Sequence, residues 1–118
     1  MNASQIGKLV VSALEDIKGK DIETIDTSRL TPLFERIVVA TGESNRQVRA
    51  LARNVQEKAR DAGVEILSTE GEDAGEWILV DLGDVIVHVM QPAVRGYYKL
   101  EELWSSRSRP PLRVPPAE

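Results

Sequence analysis

Residues 77–90 read Trp77-Ile78-Leu79-Val80-Asp81-Leu82-Gly83-Asp84-Val85-Ile86-Val87-His88-Val89-Met90. This stretch decides the fold. Trp77 to Asp81 and Val85 to Met90 are rich in β-branched and large apolar residues, and only Leu82-Gly83-Asp84 parts them. Two such runs joined by a short turn containing glycine predict an antiparallel hairpin. Pro92 ends the second run, since proline cannot donate to a ladder.

Moving toward the N-terminus, Ser68 to Glu76 reads as a polar loop carrying Glu70, Glu72, Asp73 and Glu76, and Val64 to Leu67 as a short strand. Ser44 to Ala62 is the clearest helix, with Val48, Leu51, Ala52, Val55 and Ala59 as its apolar stripe. Ser44 with Gln47 matches a capping box, and Gly63 supplies a C-terminal stop. Ile37 to Ala40 predicts a central strand buried on both faces. Asp21 to Asp26 predicts a short strand near an edge, and Thr27 to Leu33, with Pro32, a loop. Ile6, Leu9, Val10, Ala13, Leu14 and Ile17 form one helical face, with Ser4 as N-cap and Gly19 as stop. Beyond the hairpin, Ala93 to Trp104 reads as helical in its second half, where Tyr97, Leu100, Leu103 and Trp104 fall at helical spacing. The order is α β β α β β β α. The connection from 37–40 through 44–62 to 64–67 has βαβ form, which favours a right-handed parallel crossover. The fold class is α/β: a mixed sheet of about five strands with packed helices. Residues 1–104 form the domain. Residues 105–118 hold four of the six prolines and read as a flexible Pro/Arg-rich tail.

Composition narrows the function. The chain has 118 residues, 29% charged and 42% apolar, ordinary for a globular domain. No apolar run approaches the roughly 18 residues of a spanning helix, and no basic-then-apolar leader opens the chain, so cytoplasmic residence is expected. Cysteine is absent, which removes disulfides, thiolate metal sites and Cys nucleophiles. Residues 105–118 carry Arg107, Arg109 and Arg113 against Glu118, which leaves 12 basic and 18 acidic groups on the body, a net of −6. An acidic body repels phosphate backbones and disfavours a sequence-specific nucleic-acid reader. It favours a basic protein partner.

Few constellations offer chemistry. His88 is the sole histidine. It reads either as a base or metal ligand, or as a histidine partly buried on the sheet and hydrogen-bonded locally. The lack of a second His or any Cys favours the latter. Asp81 and Asp84 are three apart across a bend, whereas two metal ligands on one strand face need i, i+2 spacing; capping the turn explains them. Gly42-Glu43-Ser44 sits where anions bind helix N-termini, but it has one glycine, and Glu43 stands where a phosphate would. No Gly-x-Ser-x-Gly elbow exists. No metal or cofactor is expected. Trp77 opens the hairpin beside an acidic loop and suits a core position and a surface anchor equally.

Three blocks carry a resemblance: Ala40-Thr41-Gly42-Glu43-Ser44-Asn45-Arg46-Gln47-Val48; Glu70-Gly71 with 77–90; and Arg95, Tyr98 and Leu100-Glu101-Glu102-Leu103-Trp104. In order and spacing they resemble the ribosomal silencing factor family (Iojap, RsfS) over almost all of residues 4–104. The chain departs from the usual family pattern at Glu35-Arg36-Ile37. The resemblance implies a nucleotidyltransferase-like fold without that fold's paired carboxylates. It implies a translation regulator that makes no bonds. Such a factor binds the large ribosomal subunit at its protein fourteen, blocks joining of the small subunit, and lowers translation under nutrient limitation. The contact residues expected from the family's hairpin block are Trp77, Leu79, Asp81, Leu82, Arg95 and Tyr98, with Trp77 and Leu82 as apolar anchors and Asp81 facing a Lys or Arg. Two other classes fit the residues: a nucleotide-binding or nucleotidyltransferase-like enzyme using Asp81, Asp84 and the Gly42 turn, and a homodimeric interaction module.

Overall fold

The computed structural model describes residues 1–98, and side chains through Gly96. Its elements are α1 (Ala3–Asp16), β1 (Lys20–Asp26), β2 (Arg36–Thr41), α2 (Asn45–Asp61), β3 (Ser68–Glu70), β4 (Trp77–Asp81), β5 (Val85–Met90) and α3 (Pro92–Tyr98). The five strands form one mixed sheet in the order β1-β2-β5-β4-β3. β5 lies at its centre, parallel to β2 and antiparallel to β4, and all six of its residues are buried.

Strand alternation divides the core in two. Val38, Ala40, Ile78, Val80, Val85, Val87 and Val89 point to the face that carries α1 and α2, where they meet Val10, Leu14, Val48, Leu51 and Val55. Ile37, Val39, Trp77, Ile86 and Met90 point to the opposite face. That face is covered by Leu30 and Phe34 from the β1–β2 connection and by Val94 from α3. A central strand with both faces covered is apolar on both, which is why 85–90 does not alternate in polarity and its one polar residue, His88, is buried.

The helix ends correct two expected caps. α1 starts two residues earlier than Ser4 as N-cap would place it, because Asn2 is the N-cap. Its Oδ1 accepts the Gln5 N–H at 2.8 Å, while Gln5 Oε1 accepts the Asn2 N–H at 3.0 Å, a reciprocal box. At the other end Lys18, not Gly19, takes the left-handed conformation (φ 63°). The Gly19 and Lys18 N–H groups then reach the Leu14 and Glu15 carbonyls at 2.8 and 2.9 Å, which is a Schellman closure. α2 closes the same way at Gly63, as expected, with Val64 and Gly63 N–H on Ala59 and Arg60 carbonyls. At its start Ser44 Oγ accepts the Gln47 N–H at 3.1 Å. The Gln47 side chain does not complete the box on Ser44; its Oε1 accepts the Glu43 N–H, and its Nε2 donates to the Ile17 and Lys18 carbonyls. The end of α1 competes for that amide.

Other differences lie around β3. Residues 64–67 form no strand, and the strand falls at 68–70, within the stretch expected to be loop. Val64 and Ile66 are engaged in packing against the helix-side core. β3 follows the direction of β2, as the crossover reading requires, but it pairs only with β4 and stands at the sheet edge. β1 occupies the other edge, as expected. Its register shifts between Lys20 and Glu23, so Ile22 packs toward the helices and Ile25 toward the opposite face. α3 begins at Pro92, earlier than its expected helical half, because proline's missing N–H is not needed in a first turn. The expected helix through Trp104 and the tail 105–118 lie outside the described residues. Among the described residues, no helix is long and apolar enough to cross a membrane.

Candidate interaction surface

The hairpin register pairs Trp77 with Met90 and Leu79 with His88, so Trp77 lies diagonally across from His88. The Trp77 indole N–H donates to His88 Nδ1 at 2.9 Å, with the rings 5.8 Å apart and tilted by 49°. His88 is wholly buried, and its Nε2 has no hydrogen-bond partner. Because Nδ1 accepts, the neutral ring carries its proton on Nε2. Burial alone pushes the His88 pKa down from 6.5 to about 4. A neutral ring fixed by an indole is a local packing element, buried completely rather than partly, and is not available as a base.

Trp77 is only 8% exposed, so the structure decides between its two readings in favour of the core. Gly71 is the reason. At φ 90° it passes so close to β4 that a Cβ would stand 2.1 Å from the Trp77 carbonyl oxygen. The loop therefore closes over the strand entrance instead of leaving it bare. Arg49 holds the loop through bonds to the Glu72 and Asp73 carbonyls. Leu82 is 5% exposed and belongs to the helix-side core. Trp77 and Leu82, the two expected apolar anchors, are thus largely covered within the chain.

Arg95 is likewise turned inward, at 8% exposure. Its guanidinium donates to the Asp21 carbonyl and to Thr41 Oγ1, and lies 3.5 Å from the Glu23 carboxylate. It fastens α3 across β2 to β1, at the other side of the sheet from β4. The left-handed backbone at Asp21 (φ 49°) sits where its carbonyl meets this guanidinium. Tyr98 is the last residue of α3.

Leu79 and Asp81 stay partly exposed on the face opposite α1 and α2. Asp81 Oδ1 accepts the Gly83 N–H at 2.8 Å, so the carboxylate caps the hairpin turn as its spacing suggests. The Asp84 backbone carbonyl accepts the Glu35 and Arg36 N–H groups, and its side chain is exposed. Across the ladder, Ser68 stands opposite Asp81 and Glu70 opposite Leu79, and Leu67, 56% exposed, bonds to the Asp81 carbonyl. Leu67, Ser68 and Glu70 were missed as partners of Leu79 and Asp81 because 68–76 reads as loop. The nearest signal was the apolar-rich run from Val64 to Leu67, which ends just before the strand begins.

The Gly42 turn has a packing explanation. A Cβ there would meet Val48 Cγ2 at 2.9 Å and Leu51 Cδ1 at 3.1 Å, so α2 sits against the bare backbone. The Glu43 amide is used by Gln47 and its carboxylate by Lys20 at 2.5 Å. A phosphate would have to displace both. Among the described residues no group of three or more His, Asp or Glu is gathered for a metal ion.

Comparison with known proteins bears directly on this chain. The family profile described as ribosomal silencing factor during starvation matches residues 1–117. Ribosomal silencing factor RsfS of Chromobacterium violaceum is 61% identical over 107 residues, covering 91% of this chain and 88% of that protein. The RsfS of Bacillus subtilis is 38% identical over 104 residues, 88% of each chain. A crystal structure of a Chromobacterium violaceum protein superposes with a TM-score of 0.88 at 57% identity, covering 96% of this chain and 94% of that one.

Proposed function

The chain belongs to the ribosomal silencing factor family, and from that premise we propose that it binds the large ribosomal subunit through ribosomal protein fourteen. Bound there, it occupies volume that the small subunit must enter, and so represses translation under nutrient limitation. It works in the cytoplasm as a steric wedge, without a cofactor and without making or breaking a bond.

The observation that carries the placement is the open part of the sheet face opposite α1 and α2, at β4 and β3. Leu79 and Asp81 are partly exposed there, bordered by Ser68, Glu70 and the exposed Leu67. An apolar centre ringed by carboxylates suits a basic ribosomal protein, and a body of net charge −6 steers toward one. Leu79 and Asp81 make contact in this reading. Trp77 and Leu82 support the strand from within, and Arg95 fixes α3, which ends at Tyr98. The residues predicted as contacts therefore divide into two that touch the partner and others that hold them.

Cosedimentation of the full chain with purified large subunits tests the surface. Leu79→Glu and Asp81→Lys should each weaken binding about tenfold or more, the loss typical of an interface hot spot, while circular dichroism stays native. Unchanged binding by both folded variants would place the surface elsewhere.

A further inference from the structure

The two margins of the sheet are built differently. β1 is blunted in the usual ways: a shifted register between Lys20 and Glu23, a left-handed residue at Asp21, and exposed carboxylates on Asp21, Glu23 and Asp26. β3 is blunted only by being short. It pairs on one side, with β4, and its approach through Val64 and Ile66 is extended chain rather than helix. Beside it lies a groove of about 580 Å³, walled by Gln56, Arg60 and Gly63 at the end of α2 and by Val64, Ile66 and Thr69. Val64 and Ile66, packed against the helix-side core, add apolar surface to a lining otherwise made of polar residues and Gly63.

The rim is acidic. Glu65 lines the groove and is exposed, and the exposed Glu72 is tied to the lining Gln56, whose Nε2 donates to its carboxylate at 3.3 Å. Arg60 is the one cation among the groove's described lining residues. The C-terminal end of α2 adds the partial negative charge of a helix terminus.

We propose that the β3 edge and this groove are a second docking site, which takes an extended basic segment of a partner protein as an added strand. The site lies along the strand edge and the α2 side, apart from the face that presents Leu79 and Asp81. Main-chain bonds to β3 supply the pairing. Because side chains alternate along a strand, a segment can set Lys or Arg against Glu65 and Glu72 while seating an apolar side chain beside Val64 and Ile66. A second copy of this chain is disfavoured as occupant, since edge-to-edge pairing would gather the same carboxylates from both copies.

The test titrates the full 15N-labelled chain with an acetylated, amidated peptide of three Lys-Val repeats. The expected result is shifts at the amides of residues 56–70, with little change at Leu79 and Asp81. The double variant Glu65→Lys, Glu72→Lys should bind about tenfold more weakly, as loss of close charge pairs predicts. A peptide of the same charge with alternate amides N-methylated should also bind weakly, because it cannot form the ladder. Equal binding of the N-methylated peptide, shifts centred on Leu79, or no binding would overturn the proposal. So would light scattering that shows a dimer with residues 64–70 protected from exchange. Cosedimentation of the double variant with large subunits keeps the two readings separate: retention there, with peptide binding lost, leaves the Leu79 surface standing.

Discussion

Acidification should destabilise this domain through one side chain. His88 is wholly buried and accepts the Trp77 indole N–H, so protonation of Nδ1 would set two donors against each other. Its pKa falls from 6.5 to about 4 on burial. The unfolded chain therefore takes up a proton between those values that the folded chain refuses. Stability from this group is full above pH 6.5, falls as pH drops toward 4, and changes no further below that. A depression of about 2.5 units at 1.36 kcal/mol each amounts to about 3 kcal/mol, a large share of a small domain's margin. Urea unfolding followed by circular dichroism from pH 7.5 to 4 measures the loss. Carboxylates titrate in the same window, so the informative quantity is the difference from His88→Gln, which keeps an acceptor for the indole but cannot titrate. The wild type should lose about 3 kcal/mol more than the variant over that range. Because His88 is the only histidine, its ring resonance also reports the pKa directly. A titration near 6.5, or parallel pH profiles for the two proteins, would refute the reasoning.

Three further outcomes follow from the local geometry. Gly71→Ala forces a Cβ to within 2.1 Å of the Trp77 carbonyl at φ 90°, and should cost about 2 kcal/mol or more by urea unfolding, with Trp77 fluorescence shifted to the red. Arg95→Ala leaves Thr41 Oγ1 and the Asp21 carbonyl without their donor; it should cost about 1–3 kcal/mol and speed amide exchange in β1. Arg95→Lys should recover only part of that, since an ammonium lacks the guanidinium fork. Asn2→Ala should lower stability by about 1 kcal/mol while Ser4→Ala changes it little, a contrast that thermal melts resolve.

Much of the fold is legible because its core strands and helices are locally self-consistent. Residues 85–90 are β-branched or large at nearly every position, and α2 has a stripe buried at Val48, Leu51, Ala52, Val55 and Ala59. Periodicity reads such elements directly. What escapes is decided by competition between segments. Val64 to Leu67 has strand composition, but Val64 and Ile66 are taken by the helix-side core, and pairing starts only at Ser68. Ser4 and Asn2 are both good caps, and the box with Gln5 selects Asn2. At the interaction surface, sequence pointed to the hairpin but not to which side chains the fold leaves open. Trp77 is hidden by Gly71 and His88, and Arg95 is drawn inward by a carbonyl 74 residues away in sequence. Leu79 and Asp81 stay partly exposed, toward the β3 end of the sheet.

The central claim is steric exclusion at the subunit interface, and light scattering of purified ribosomal subunits measures it most directly. Added in slight excess to large subunits before the small ones, the chain should suppress the rise in scattering that marks their joining, and Asp81→Lys should restore it. Full joining in the presence of saturating wild-type protein would contradict the claim.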